Sequence, residues 1–237
     1  MFDLYWWLAA AALLFGCLIQ TALGFGMAVI AAPIIVLFRP EWVPIILTIV
    51  ALMLSIRNTA NQWHGIQWRH ITPAMISRLP GTVVGAWILA QLPIQLLQIA
   101  VAAMVFVAIF VTAFARPFPA TVSNLSIAGF LSGIAGTTTS IGGPPMALVM
   151  QHSASHHTRA NLSVYFAYSC IVSLISYQLM GLMTAELWLT GLSFLPVALI
   201  GYFLGVRARG WVDQRFRPML LVLCSISALI ALWGAIT

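Results

Sequence analysis

The sequence predicts an all-α fold: a polytopic membrane helix bundle of two inverted repeats, each a broken re-entrant helical hairpin followed by three transmembrane helices. Three observations predict it. Of 237 residues, 62% are hydrophobic and only 6% charged, whereas soluble domains run nearer half apolar and a quarter charged. The chain divides into long uncharged apolar stretches, of the kind an α-helix needs to cross a hydrocarbon core about 30 Å thick. Two of these stretches carry glycine in their middle. A β-barrel would instead show strand-length alternation of polar and apolar residues.

The stretches run, in order, over Leu4–Phe38, Val43–Ala60, Pro73–Leu92, Ile94–Ala115, Leu125–Gln151, Leu162–Met183, Leu187–Val206 and Pro218–Ile236. The first is interrupted at Gly24-Phe25-Gly26 and the fifth at Gly142-Gly143-Pro144-Pro145. Glycine and proline there break the helix, so each stretch becomes two arms. The remaining stretches read as single spans. The N-terminus, MFDLYWW, has no basic region and reads as the start of a retained helix.

Loop charges decide the path of the fifth stretch. All ten cations are arginine. If that stretch crossed the membrane, Arg116 would lie opposite Arg159 and the cluster Arg207, Arg209, Arg215 and Arg217. If it enters and returns, every arginine except Arg39 lies on one side, as the positive-inside rule prefers. The hairpin reading follows. Given the same shape, the first stretch yields a repeat, residues 1–116 and 124–237 of a single transmembrane domain, with hairpins about 117 residues apart. Each half then makes an odd number of crossings, which inverts the second relative to the first. Such repeats with broken helices recur in secondary transporters, where substrate sits near the midplane.

Irregular backbone at membrane depth must be buried or line a wet cavity. After each glycine pair the chain resumes as a helix, and Pro144 or Pro145 suits the first turn. That sets a helix N-terminus, with unpaired N–H groups and partial positive charge, inside the bundle, which is a ready anion site. Gln20, Thr21, Thr137, Thr138, Thr139 and Ser140 add neutral hydrogen-bonding groups. The other reading of each break is a tight turn whose hydroxyls satisfy local backbone; two breaks in matching positions favour the functional one.

These segments carry a family resemblance. Gly24-Phe25-Gly26 with Pro33, then Gly133-Ile134-Ala135-Gly136-Thr137-Thr138-Thr139-Ser140-Ile141-Gly142-Gly143-Pro144-Pro145 and Arg159-Ala160-Asn161-Leu162, resemble the TauE/SafE family of sulfite and sulfonate exporters over nearly the whole chain. Met27 stands where many relatives carry a third glycine. The resemblance implies transport of small sulfur-containing anions such as sulfite or an organosulfonate, in a multi-pass protein of the bacterial inner membrane.

The four acids, Asp3, Glu41, Glu186 and Asp213, all fall at predicted helix ends or loops. Cation carriers place carboxylates inside the membrane, so a metal cation is disfavoured as substrate. Arg57 with Asn58, and Arg159 with Asn161, stand in corresponding parts of the two halves. Their guanidinium groups either fork onto an oxyanion or snorkel to the interface; Arg78 has the same two readings, with snorkelling the stronger. The expected substrate-binding set is therefore Gln20, Thr21, Gly24, Phe25, Gly26, Arg57, Asn58, Thr137, Thr138, Thr139, Ser140, Gly142, Gly143, Arg159 and Asn161.

His152 and His156 have the spacing of ligands on one helical face, but no third ligand or acid is near, so polar loop residues are the better reading. No cofactor, metal or nucleic-acid partner is expected; the arginines are too scattered for the last. Cys17, Cys170 and Cys224 read as small buried hydrophobes. Gly81-xxx-Gly85, Gly129-xxx-Gly133 and Gly201-xxx-Gly205 have the spacing of close helix packing, within a protomer or across a homodimer. The partners expected are a small anion and membrane lipid. A channel-like facilitator is the alternative to a carrier; an intramembrane enzyme using Ser140, or an assembly factor, is further off because no Gly-x-Ser-x-Gly elbow or interior acid is present.

Overall fold

A computed structural model describes residues 3–114, 119–150 and 155–209, and these are helical throughout, with no strand among them. The elements are α1 (Leu4–Leu23), α2 (Met27–Phe38), α3 (Ile45–Gln62), α4 (Trp68–Gln91), α5 (Ile94–Phe114), α6 (Val122–Thr139), α7 (Gly143–Met150), α8 (Ser155–Leu179) and α9 (Ala185–Ser193). After the single turn residue Phe194 the chain continues as α10 over 195–209. Among the described residues, four helical stretches are long and apolar enough to cross a membrane, Leu4–Leu23, Ile45–Gly65, His156–Leu179 and Ala185–Arg209. Large apolar side chains such as Trp87, Phe110, Ile175 and Phe203 point outward. An apolar surface of that extent needs lipid around it. The expected last stretch, Pro218–Ile236, and Arg116, Arg215, Arg217, Cys224 and His152 lie outside the described residues.

Both glycine-centred interruptions are present. α1 ends at Gly24 (φ 97°) and α2 begins after Gly26 (φ 115°), left-handed conformations that glycine adopts without a Cβ penalty. The chain doubles back there. Tyr5 stacks on Phe38 with ring centroids 5.5 Å apart, and Arg39 reaches Asp3 at 2.9 Å, so the two outer ends of the segment meet. Asp3 also caps α1 by accepting the Trp6 N–H at 2.8 Å; that bond, with the Arg39 guanidinium, holds its carboxyl below the ordinary range. α6 and α7 are divided at Ser140-Ile141-Gly142, and Pro144 and Pro145 occupy the first turn of α7. There the Ser132 hydroxyl donates to the Gly142 carbonyl at 2.6 Å, folding the second segment back on itself as well.

The tips of the two segments point to opposite ends of the bundle. A Cβ on Gly24 would stand 3.3 Å from Arg159 Cα and from Leu162, at the start of α8. Ser140 instead donates to the Pro44 carbonyl at 2.9 Å, beside the start of α3. Arg57, Arg159 and Arg209 gather at the Gly24 end: Arg209 donates to Asn58, and Arg57 lies over the Tyr202 ring. Arg39 sits at the other, with Asp3 and Glu41.

Glycine sets how closely the helices pack. α4 packs on α6, where a Cβ on Gly85 would come 2.8 Å from the Ile134 carbonyl and one on Gly133 2.8 Å from that of Arg78. A Cβ on Gly129 would collide with the Ala74 carbonyl and the Ser77 hydroxyl. α10 packs on α1 in the same manner, with Gly201 against Cys17 and Leu14, and Gly205 against Leu18 and Thr21. α4 thus lies on the first arm of the second interrupted segment, and α10 on the first arm of the first. Gly129→Val and Gly201→Val, measured by thermal unfolding in detergent, should each cost about 1–3 kcal/mol of stability by overpacking.

Candidate functional site

The two interruptions face a common cavity of about 50 Å³. Its lining comes from both segments: Gln20, Phe25, Gly26 and Met27 from the first, Ser140, Ile141, Gly142 and Gly143 from the second. Thr48 of α3, Arg78 of α4 and Phe166, Ser169, Cys170 and Ser173 of α8 close it. A volume of that size holds a few waters or one small ion. The first turns of α2 and α7 begin at its wall. At α7 Pro144 and Pro145 have no N–H, which leaves that of Gly143; the first N–H groups of α2 have no intrahelical acceptor and carry partial positive charge. One of them is satisfied locally, since Met27 N–H donates to Gln20 Oε1 at 3.3 Å.

Arg78 supplies the full charge. It lies about three turns into α4, roughly 15 Å from the helix start by the 1.5 Å rise per residue, and is only 3% exposed. Nη1 donates to the Ser132 carbonyl at 2.8 Å, to Ser132 Oγ at 2.9 Å and to Tyr165 Oη at 3.3 Å. Nη2 reaches Ser173 Oγ at 3.5 Å. Nε has no partner. Every acceptor is neutral, and the only ion pairs among the described residues belong to Arg39. Asp3, Glu41 and Glu186 are exposed at helix ends. Burying a cation away from water costs several kcal/mol unless an anion compensates it. Ser169, on the same cavity wall, also keeps a buried hydroxyl without a partner.

Of the residues expected to bind substrate, the structure brings Gln20, Phe25, Gly26, Ser140, Gly142 and Gly143 together around this cavity. The others lie elsewhere. Thr21 accepts from Asn58 Nδ2 at 3.3 Å, near Arg209. Gly24 and Arg159 meet at the tip of the first segment. Arg57 is exposed. Thr137 bonds Ser173 at 3.0 Å, Thr138 and Thr139 donate back to Ile134 and Ala135 carbonyls one turn earlier, and both of these line a separate apolar groove beside α5. Asn161 accepts the Gln67 N–H at 2.7 Å, tying the α3–α4 connection to α8.

Sequence reasoning weighed Arg78 but preferred snorkelling and left it out of the binding set, and it passed over Ser169 and Ser173. For Arg78 a signal existed. Counting from Trp68 rather than from Pro73 sets the arginine at mid-depth, where snorkelling to an interface is out of reach. Ser55 and Ser173 carried another. They stand at the same sequence offset as the two interruptions, and each bonds its own segment, Ser55 to Gln20 at 3.5 Å and Ser173 to Thr137.

A family model described as Sulfite exporter TauE/SafE matches residues 8–231. No curated protein and no solved structure matches the chain at a significant level.

The two interruptions touch at Gly143 and Phe25. A Cβ on Gly143 would lie 3.1 Å from Phe25 Cδ2 and 3.3 Å from Phe25 Cβ. Gly143→Ala should therefore lower the unfolding temperature in detergent, and Phe25→Leu in the same chain should recover part of the loss. The coupling expected in the double-mutant cycle is on the order of 1 kcal/mol.

Proposed function

Because the chain belongs to the TauE/SafE family of sulfite exporters, an integral membrane transporter family, we propose that it carries sulfite or a similarly small sulfur oxyanion in the cavity between the two helix interruptions, with Arg78 as counter-ion. The observation that carries this reading is the buried guanidinium, which has neutral acceptors only and stands in the wall of that cavity. An anionic guest removes the cost of the lone charge, and the two helix starts add favourable dipoles. Gln20 and Ser169 offer neutral donors.

The carrier mechanism proposed is alternating access. The two halves, 1–116 and 124–237, act as inverted repeats, and each interrupted segment re-enters the bilayer from its own side. Three observations support it: the oppositely directed tips, the reciprocal packing of α4 on α6 and of α10 on α1, and the grouping of Arg57, Arg159 and Arg209 at one end. A single site shared by both segments suits rocking of one half on the other. The arginine-rich end faces the cytoplasm on this reading, in a bacterial inner membrane. A channel-like facilitator would use the same residues but would not show exchange.

In proteoliposomes, Arg78→Gln should reduce sulfite flux at least tenfold, roughly the 1.4 kcal/mol or more expected for loss of a charge-assisted contact, with folding retained. Sulfite on the far side should accelerate flux if the protein is a carrier. Wild-type rates in Arg78→Gln would end the assignment.

A further inference from the structure

The hydrogen bonds of Arg78 are unevenly shared among its nitrogens. Nη1 meets three acceptors, two of them from Ser132 and the third the Tyr165 hydroxyl. Nη2 has one long contact, at 3.5 Å, to Ser173 of the cavity wall, and Nε has none. The donor capacity left over is the Nε–H and one Nη2–H. The Nε–H and the Nη2–H on its side of the group lie parallel along one edge of the planar guanidinium, spaced to match two oxygens on a common central atom.

Building on the anion site above, we propose that Arg78 grips its guest through this Nε–Nη2 edge, and that Ser132 and Tyr165 are positioning residues that fix the edge by anchoring Nη1. Ser132 also donates its hydroxyl to the Gly142 carbonyl at 2.6 Å. One side chain therefore joins the guanidinium to the interruption of the second segment. Tyr165 is fully buried, and its ring lies 5.5 Å from the guanidinium carbon. Swinging of the guanidinium is blocked from that side. A fork held in this way selects by shape: an ion offering two oxygens makes two parallel bonds, and a monatomic ion of equal charge makes at most one good one.

Neither Ser132 nor Tyr165 lines the cavity. Tyr165 reaches the guest through Arg78 alone, whereas Ser132 also holds the Gly142 carbonyl of the cavity wall, so Tyr165→Phe is the variant that separates this inference from a general loss of binding.

The test is a comparison of binding by purified protein in detergent, using sulfite at about pH 6, where it is mostly the monoanion, and bromide. Wild type should favour sulfite over bromide by about thirtyfold, and Ser132→Ala, Tyr165→Phe and Arg78→Lys should each shrink that ratio to about threefold. Lysine keeps the charge and loses the fork, so its absolute affinity for bromide should change little. Tyr165→Phe keeps the ring and removes only the hydroxyl, so it decides the matter if Ser132→Ala fails to fold. An undiminished ratio in Tyr165→Phe and Arg78→Lys overturns the fork. If Arg78→Gln still abolishes sulfite flux in that event, the anion site stands and only this inference falls; normal flux in Arg78→Gln removes both.

Discussion

A positive charge at mid-depth of a bundle with a lipid-facing surface is the constraint around which the interior is arranged. Arg78 is almost wholly buried, and no carboxylate among the described residues approaches it. Its Ser132 acceptors belong to α6, the first arm of the second interrupted segment, and the rest to α8. α4 carries the charge in, α6 and α8 receive it, and close helix contact is what lets a side chain of limited reach find them. The small residues Gly81, Gly85, Gly129 and Gly133 make that contact. Packing in membranes is driven by such close approach rather than by exclusion of water, so here the glycine seam serves both cohesion and electrostatics.

The interruptions answer a second requirement. Backbone that leaves the helix inside a membrane must find partners within the protein. At the first break Gln20 bonds Met27 N–H. At the second, Thr139 Oγ1 accepts the Ile141 N–H at 3.2 Å and Ser132 donates to Gly142. Ser140 takes a left-handed conformation, φ 64°, unusual for a residue with a side chain, and its hydroxyl is held by the Pro44 carbonyl. The polar residues near the breaks therefore divide by task. Those facing inward along α6, Thr137 to Thr139, satisfy backbone and neighbours, and those at the turn itself meet the cavity.

That division explains what could be read from sequence. The apolar stretches and both breaks were legible, because glycine and proline inside a long uncharged run have few alternative meanings. The family was legible from the segment around Gly136 to Pro145. Which member of a threonine run faces a cavity was not, since the answer depends on how α6 is rotated against α4 and α8. Arg78 was hidden by a helix boundary. Pro73 looks like a start, yet α4 begins five residues earlier, at Trp68, and carries Pro73 and Pro80 within it. Arg57 and Asn161 were drawn into the site by matching positions in the two halves, whereas their contacts are with Tyr202 and Gln67 at the bundle's end.

The size of the chamber carries one more consequence. At about 50 Å³ it is too small to hold an anion together with the shell of oriented water that surrounds it in bulk, so on the reading proposed above a guest would enter stripped of most of that shell. The electrostatic cost of stripping grows with the square of the charge, making a divalent ion about four times as expensive to desolvate as a monovalent one of the same radius. A lone guanidinium offsets one unit of charge. On that reading the chamber would rank anions by solvation energy before any hydrogen bond is formed, and proton uptake by the guest in solution would be a means of admission.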